Sequence, residues 1–297
     1  MPYDEWTRYR RQFSPECTLE PPPHGLYCPR ENAVAVDGWE SVGNQCLADW
    51  SERGFIVVNN AISPSEVVDA AEATIALLGG SAKSYNPGPW GHKHGVLLRP
   101  GYALECLSGE DLLERLVLAR GLVEHDLRLT AIATNSGLNY FLKNVMQDEP
   151  VLMHNMVRAK PPSSGDKPWH QDLTHFNVHP TSAVVTAWIA LDDAPLESGC
   201  LHFIPGTHLK GPTKHVFTRD YQIPDYAVSR DNQVAAPVQK GSCVVFHSML
   251  HHGSPPNGSP GRRLALQLTF KPSKALAISN EERIMAFAGI HGSNRHD

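Results

Sequence analysis

The chain is organised around the stretch Pro168-Trp169-His170-Gln171-Asp172-Leu173-Thr174-His175-Phe176. It places an imidazole and a carboxylate two residues apart, in a run of strand-forming and aromatic residues. In an extended strand, residues i and i+2 point to the same face, so His170 and Asp172 can converge on one point. Such a pair also arises by chance on many protein surfaces, so its meaning depends on the downstream sequence. An iron(II) site made of two histidines and one carboxylate needs one further histidine.

The composition is that of an ordinary globular protein. At 297 residues the chain is long enough for one large domain or two small ones. Apolar residues make up 41% and charged residues 19%, which argues against a disordered chain. The formal net charge of −5 and the pI near 6.3 provide no basic surface for nucleic acid or anionic lipid. We therefore expect no nucleic-acid partner and, because no long apolar run is present, no membrane insertion. The oligomeric state is left open.

The cysteines and the two ends of the chain predict a reduced, cytoplasmic location. The six cysteines, none of which forms a Cys-x-x-Cys pair, are Cys17, Cys28, Cys46, Cys106, Cys200 and Cys243. The N-terminal Met1-Pro2-Tyr3-Asp4 opens a polar segment unlike a signal peptide. The C-terminal Asn294-Arg295-His296-Asp297 carries no peroxisomal tripeptide.

The first half of the chain mixes irregular and helical patterns. Residues 1–45, rich in Pro, Arg, Glu and aromatic residues, are interpreted as an irregular N-terminal arm that precedes a single domain at 46–297. The predicted elements that follow are a helix at 42–53, a strand at 54–60, a helix from 64 to 79 and helical spacing from 109 to about 145. Residues 81–102, rich in Gly and Pro, predict a long loop of the kind that covers a pocket.

After Pro150 the pattern changes to short strands separated by Gly and Pro turns. The predicted strands are 151–160, 169–178, 182–192, 200–204, 234–238, 242–246 and 263–271. Many short strands of this kind indicate a mostly β fold with flanking helices and a double-stranded β-helix core of the jelly-roll, cupin-like type at about 150–272.

Three histidines compete for the third position of the metal site. His247, His251 and His252 all lie in or just beyond the apolar strand that follows Gly241. Adjacent residues of a strand face opposite ways, so His251 and His252 cannot both bind the same metal comfortably. Four other histidines are interpreted as packing residues or as partners of the ligands: His175, His179, His202 and His208.

Several motifs follow one another in a characteristic order. They are Met153-His154-Asn155-Met156, Lys160-Pro161-Pro162, His170-Gln171-Asp172-Leu173, Thr186-Ala187-Trp188, Gly199-Cys200-Leu201, Pro205-Gly206-Thr207-His208, Phe246-His247 and His252-Gly253-Ser254 through Arg263. In order and approximate spacing these motifs resemble the phytanoyl-CoA dioxygenase family of iron(II)- and 2-oxoglutarate-dependent oxygenases. The resemblance covers about residues 150–272 and is only loose over the first 100 residues.

The resemblance implies roles for particular residues. It makes His252 the third metal ligand beside His170 and Asp172, and it leaves His251 as a packing residue or a partner of the ligands. It assigns Arg263 and Ser254 to the distal carboxylate of 2-oxoglutarate, a task that suits the planar, permanently charged guanidinium. Its positions lining the co-substrate fall on Met156 and Trp188, which could equally be core residues. The family's upstream lysine has no clear counterpart here, and Arg99 and Arg120 remain alternatives.

The resemblance also implies an activity. We expect a dioxygenase that takes iron(II), 2-oxoglutarate and O2, with ascorbate as a stimulant, and hydroxylates an unactivated C–H bond of a small molecule. Succinate and CO2 would be released. Halogenating relatives carry Ala or Gly where Asp172 stands, so this residue predicts hydroxylation rather than halogenation. The alternatives are a divalent-metal hydrolase on a cupin-like barrel, which leaves Arg263 and Ser254 unexplained, and a non-catalytic ligand-binding barrel.

Overall fold

Two β-sheets that face each other form the centre of the protein, in a computed structural model that describes residues 20–79, 96–98 and 106–288. The strands are β1 (Glu31–Asn32), β2 (Ala35–Asp37), β3 (Phe55–Asn59), β4 (Val96–Leu98), β5 (Leu116–Arg120), β6 (Pro150–Lys160), β7 (Lys167–His170), β8 (Val185–Ala190), β9 (Leu201–Phe203), β10 (Val216–Phe217), β11 (Tyr221–Gln222), β12 (Val234–Ala236), β13 (Cys243–His247), β14 (His252–Ser254) and β15 (Arg263–Pro272). The larger sheet has the order β2-β3-β13-β8-β15-β6-β5-β4 and the smaller has the order β1-β12-β9-β14-β7. Strands β10 and β11 form a separate antiparallel pair.

Helices cover the outer face of the larger sheet. They are α1 (Asn44–Arg53), α2 (Pro64–Gly79), α3 (Gly109–Arg115), α4 (Leu127–Ala133) and α5 (Ser136–Met146), and a further helix, α6 (Asn280–Ala288), follows the last strand. Helix α2 begins with a capping box, in which Glu66 accepts from the Ser63 backbone N–H at 2.7 Å and donates its own N–H to the Ser63 hydroxyl. None of the helices in the described ranges is long and apolar enough to cross a membrane.

Strand β8 shows how the core is divided between the two faces of the larger sheet. All six of its residues are buried, and alternate side chains point to opposite faces. Val185, Ala187 and Ile189 pack against the helices. Trp188 packs towards the smaller sheet, in a cluster that also holds Phe203. A strand that is buried on both faces has a nearly continuous run of apolar residues, and residues 185–190 show this pattern.

Two predicted elements differ from the structure. The helical spacing predicted from 109 to about 145 is interrupted by β5, whose Leu118 and Ala119 pair with Arg158 and Val157 of β6. The short apolar run of β5 fits a buried strand or a helix equally well, and pairing with β6 decides the outcome. The strand predicted at 169–178 ends at His170, and a 3-10 helix, Asp172–His175, follows it.

The segment interpreted as an irregular arm contributes a strand to each sheet where it is described. Strand β1 pairs in parallel with β12 and β2 pairs in parallel with β3. The division into an arm at 1–45 and a domain at 46–297 remains a prediction. Residues 1–19 and most of the predicted loop 81–102 lie outside the described residues.

Candidate metal centre

The two histidines of the proposed site are neighbours on adjacent strands of the smaller sheet. His252 of β14 lies directly opposite His170 of β7 in the antiparallel register. Their ring centroids are 4.2 Å apart, and both side chains are buried. Strand pairing therefore brings together two imidazoles that are 82 positions apart in the sequence, since 252 minus 170 is 82.

The carboxylate of Asp172 completes this group. Gln171 keeps an extended backbone, with φ −113° and ψ 125°, so Asp172 returns to the side of His170 although the strand has ended. Asp172 Oδ1 lies 3.2 Å from His170 Nε2 and 3.4 Å from His252 Nε2. One potential ligand atom from each of the three residues lies within 4.8 Å of the others, and the described residues hold no second group of this kind.

The surrounding hydrogen bonds orient all three side chains. His170 Nδ1 lies 2.8 Å from the Pro168 carbonyl oxygen, and His252 Nδ1 lies 3.0 Å from the Leu250 carbonyl oxygen. Each Nδ1 therefore donates its hydrogen to the backbone, which leaves the Nε2 lone pair free for a metal. Asp172 Oδ2 accepts from the Thr186 hydroxyl at 3.0 Å. This donor set fits a divalent metal held by two histidines and one carboxylate.

The protonation states suit the same task. Burial, together with the nearby His252, lowers the pKa of His170 to about 3, so its imidazole is neutral at physiological pH. Burial opposes ionisation of Asp172, but the adjacent His252 and His170 outweigh it and hold the pKa of this carboxyl well below its usual value. A neutral imidazole and an ionised carboxylate are the forms that coordinate metals.

The competing histidines point elsewhere. His251 Nε2 lies 2.8 Å from the Thr213 hydroxyl. His247 Nδ1 accepts the Met249 backbone N–H at 3.0 Å and its ring lies beside that of His208. These contacts agree with the interpretation of His251 as a packing residue, and they direct His247 away from Asp172 as well. The assignment of His252 as a ligand remains a prediction that the geometry supports.

Arg263 and Ser254 lie together and line one pocket. Arg263 Nη1 donates to the Gly199 carbonyl and, at 3.1 Å, to the Ser254 hydroxyl. The guanidinium carbon lies 5.1 Å from the Trp188 ring centroid, close enough for a cation–π contact. Gly199 is needed here because its φ is 73° and because a side chain would collide with the Pro255 carbonyl.

Lys160, to which the sequence pattern assigns no role, also contacts Ser254. It is 6% exposed, and its Nζ donates to the Ser254 hydroxyl at 2.7 Å and to the Ser254 carbonyl at 2.9 Å. Burial, reinforced by the nearby Arg263, lowers its pKa well below the usual value for lysine. A signal was present in the sequence, because Lys160 lies four residues from Met156 and residues at that spacing share a strand face.

The structure places the two predicted lining residues in one row. Met156 of β6 and Trp188 of β8 both pair with Gln267 of β15, so the three side chains share the inner face of the larger sheet. Arg120 at the end of β5 pairs with Met156, whereas Arg99 lies outside the described residues. The roles of Met156 and Trp188 in co-substrate binding remain predictions.

A contact from the C-terminal helix holds the segment that carries Asp172. Arg283 of α6 donates to the Thr174 carbonyl and, at 3.0 Å, to the Asn177 side chain. Phe287, also in α6, is fully buried beside Leu173. No pattern in the sequence indicates this contact, which joins residues 109 positions apart.

Comparison with known proteins identifies the family. The sequence model described as "Phytanoyl-CoA dioxygenase (PhyH)" matches residues 50–265, which is most of the chain. The chain belongs to the phytanoyl-CoA dioxygenase family. The resemblance drawn from the ordered motifs is thereby confirmed.

Curated members of the phytanoyl-CoA dioxygenase family match the chain to different extents. "Phytanoyl-CoA dioxygenase, peroxisomal" from Bos taurus is 38% identical over 145 residues, which is 43% of this chain and 42% of the bovine protein. The protein of the same name from Rattus norvegicus is 28% identical over 266 residues, which is 85% of this chain and 75% of the rat protein. The match therefore spans less than half of the bovine protein.

Solved structures agree on the fold. The structure of EctD from S. alaskensis with 2-oxoglutarate and 5-hydroxyectoine has a TM-score of 0.62 and 17% identity, and covers 89% of this chain and 87% of that chain. The epimerase SnoN in complex with Fe3+, alpha ketoglutarate and nogalamycin RO has a TM-score of 0.59 and 18% identity, over 85% of this chain and 91% of that chain. The predicted jelly-roll core with flanking helices is confirmed.

Proposed function

We propose that this member of the phytanoyl-CoA dioxygenase family is an iron(II)- and 2-oxoglutarate-dependent dioxygenase that hydroxylates a small molecule. The observation that carries the proposal is the convergence of His170 Nε2 and His252 Nε2 on Asp172 Oδ1, at 3.2 and 3.4 Å. Two imidazoles and one carboxylate on one side of a metal leave the other side open for co-substrate and oxygen. Family membership supports the same assignment.

Iron(II), with 2-oxoglutarate and O2, would supply the oxidising chemistry and release succinate and CO2. The residues of the chain would bind the metal and hold its ligands in the required orientation. His170 and His252 keep their Nε2 atoms directed at a common point because backbone carbonyls hold their Nδ1 hydrogens. Thr186 fixes the Asp172 carboxylate from behind. We expect ascorbate to stimulate turnover, as the family resemblance implied.

The second half of the proposal places 2-oxoglutarate between the metal and Arg263. Ser254 is two residues beyond His252 on β14, so the metal ligand and the hydroxyl lie on one short strand. The Arg263 side chain is 2% exposed and its Nε has no hydrogen-bond partner among the described residues. A carboxylate at this position would satisfy the guanidinium. Trp188 and Met156 would form the apolar walls.

The substrate class is proposed only as a small molecule with an unactivated C–H bond. The relatives are named for phytanoyl-CoA, and the EctD structure contains 5-hydroxyectoine. Asp172 occupies the position that halogenating relatives leave vacant, which supports hydroxylation. The absence of a nucleic-acid partner and the cytoplasmic location remain predictions, and the curated bovine and rat proteins are named as peroxisomal.

The proposal is tested by comparing His252→Ala with His251→Ala. Iron content after anaerobic loading and succinate release in air, with 2-oxoglutarate and a substrate panel, are measured for both variants. His252→Ala is expected to lose iron and turnover, because one of three ligands is missing. His251→Ala removes an adjacent imidazole that contacts Thr213 and should keep most of both. Loss of iron in His251→Ala but not in His252→Ala would show that His251, rather than His252, is the metal ligand.

A further inference from the structure

A stacked tyrosine and tryptophan lie on the face of the smaller sheet that points away from the proposed metal site. Trp169 directly precedes His170 on β7, so alternation along the strand directs its side chain to the opposite face. The Trp169 and Tyr27 rings stack with their centroids 5.5 Å apart and their planes 19° from parallel. Trp169 is fully buried, whereas Tyr27 is half-buried. The pair therefore leads from a metal ligand towards the protein surface.

The Tyr27 ring lies against both strands that carry histidine ligands. Its hydroxyl donates to the Lys167 carbonyl of β7 at 3.1 Å. A Cβ at Gly253 of β14, next to His252, would lie 3.3 Å from Tyr27 Cε1, so the missing side chain leaves space for the ring. Because electron transfer weakens steeply with distance, this packing makes Trp169 and Tyr27 suited to exchange electrons with a metal at the site.

The two rings differ in where a proton could go on oxidation. The Tyr27 hydroxyl donates to Asp166 Oδ2 at 2.9 Å, and Arg219 holds the same carboxylate through two contacts of 3.2 Å. Trp169 Nε1 is buried and has no hydrogen-bond partner in the described part of the chain. Burial, together with the nearby Asp166, raises the pKa of Tyr27, so the phenol keeps its proton until a base accepts it. An electron lost from Trp169 is therefore replaced from Tyr27, where the proton can leave.

We propose that Trp169 and Tyr27 form an electron relay that protects the metal site when oxygen reacts without substrate. The proposal rests on the proposed function, because the oxidant is the one generated at the iron from O2 and 2-oxoglutarate. The half-buried Tyr27 is the end of the relay that an external reductant can reach. This gives ascorbate, already expected to stimulate turnover, a place to act.

The electrons and protons of the relay balance. Trp169 gives one electron to the oxidant at the metal, and Tyr27 returns one electron to Trp169. As Tyr27 loses its electron, its O–H bond breaks and the proton passes to Asp166 at 2.9 Å, which leaves a neutral tyrosine radical. A one-electron reductant such as ascorbate then restores Tyr27, and Asp166 gives the proton back. The oxidant is thus reduced by electrons from outside the protein instead of by residues that line the site.

Electron paramagnetic resonance tests for the radical. Iron-loaded protein with 2-oxoglutarate and no substrate is exposed to O2 and frozen at intervals. The unaltered protein should give a tyrosine radical, whose line shape changes when the protein is made with deuterated tyrosine. Tyr27→Phe keeps the stacked ring and should lose this signal. The matched control Tyr140→Phe removes the hydroxyl of an exposed tyrosine on α5 and should keep it.

Mass spectrometry of the same samples measures the protection. Met156 lies on the inner face of the larger sheet, and methionine is readily oxidised to its sulfoxide. The sulfoxide content of Met156 should be several times higher in Tyr27→Phe than in the unaltered protein or in Tyr140→Phe. Trp169→Phe should abolish the Tyr27 radical although the contact of Tyr27 with Asp166 is kept.

Each outcome decides the proposal. Absence of a tyrosine radical from the unaltered protein, its persistence in Tyr27→Phe, or equal Met156 oxidation in all variants overturns it. An unchanged radical in Trp169→Phe also overturns it, because Trp169 would then carry no electron. If Trp169→Phe does not fold, the comparison of Tyr27→Phe with Tyr140→Phe decides alone. Succinate release with a substrate but no tyrosine radical refutes only the relay, whereas failure to release succinate with any substrate of the panel refutes the proposed function as well.

Discussion

Replacing Thr186 by Val should weaken iron binding without removing a ligand. Thr186 is fully buried, and its hydroxyl donates to Asp172 Oδ2 at 3.0 Å. The other donor to this oxygen, Gln267 Nε2, is farther away at 3.4 Å. Valine keeps nearly the shape of threonine but leaves Asp172 with the weaker contact alone. The carboxylate then loses most of what fixes its orientation.

The expected magnitude follows from the charge on the acceptor. A hydrogen bond to a charged group contributes about 1.5–3 kcal/mol, and about 1.4 kcal/mol corresponds to a tenfold change in binding. Loss of the Thr186 contact should therefore reduce iron(II) affinity about 10- to 100-fold, which is also the usual effect of removing a group that supports a metal ligand. The assay is anaerobic competition for iron(II) against a coloured chelator.

Thr269→Val is the matched control. Thr269 is the cross-strand partner of Thr186 and is equally buried, and the two hydroxyl oxygens lie 3.4 Å apart. Within the described residues Thr269 forms no hydrogen bond with Asp172. This variant tests the effect of exchanging a buried hydroxyl for a methyl group at nearly the same place. If both variants weaken iron binding by the same factor, the effect comes from packing, and the argument through Asp172 is wrong.

Two further predictions concern stability. Arg283→Met should lower the free energy of unfolding of the iron-free protein by about 1–3 kcal/mol and weaken iron binding, because the segment after Asp172 loses its anchor on α6; unchanged urea unfolding would contradict this. Burial lowers the pKa of His215 from 6.5 to about 3. The neutral His215 side chain therefore makes its full contribution to the free energy of unfolding above pH 6.5, and this contribution is lost as the pH falls towards 3. Between pH 6 and pH 4 the free energy of unfolding of His215→Gln should therefore fall less steeply than that of the unaltered protein, by roughly 1.4 kcal/mol per pH unit. The same pH dependence in both proteins, measured by urea unfolding, would refute this.

The sequence could predict that His170 and Asp172 converge because the geometry that brings them together is local. His170 and Asp172 share a side because the single residue between them is extended, which requires no knowledge of distant contacts. The alternation of side chains along a strand also directs Arg263 and Arg262 to opposite faces. Arg262 faces outward, where its guanidinium bonds Asp192 at 3.0 Å, while Arg263 is buried in the cavity. Strand periodicity alone places each of these side chains on its face.

The parts that could not be predicted depend on contacts between distant segments. The environment of Lys160 depends on β15, which places Arg263 directly opposite it. The two residues are 103 positions apart, since 263 minus 160 is 103. Arg283 reaches the Asp172 segment from a helix that sequence pattern alone would leave on the surface. Residues 116–120 form a strand because they pair with β6, whereas their apolar run alone would fit a helix equally well. Hydrophobic periodicity predicts which face of a strand or helix a side chain occupies, but it does not predict which distant segment packs against that face.

The His252-Gly253-Ser254 segment shows how closely the two halves of the site are linked. Ser254 and His252 both point inward on β14, where one contacts Lys160 and Arg263 and the other approaches Asp172. Gly253 faces the opposite way, and a Cβ there would lie 3.1 Å from the Lys167 carbonyl oxygen of the neighbouring strand. A Cβ at Gly253 would therefore require a shift of a few tenths of an ångström between β14 and β7, the strands that carry His252 and His170. The motif therefore sets two relations at once: it places the His252 imidazole beside that of His170 across the strands, and the Ser254 hydroxyl two residues from His252 along one strand.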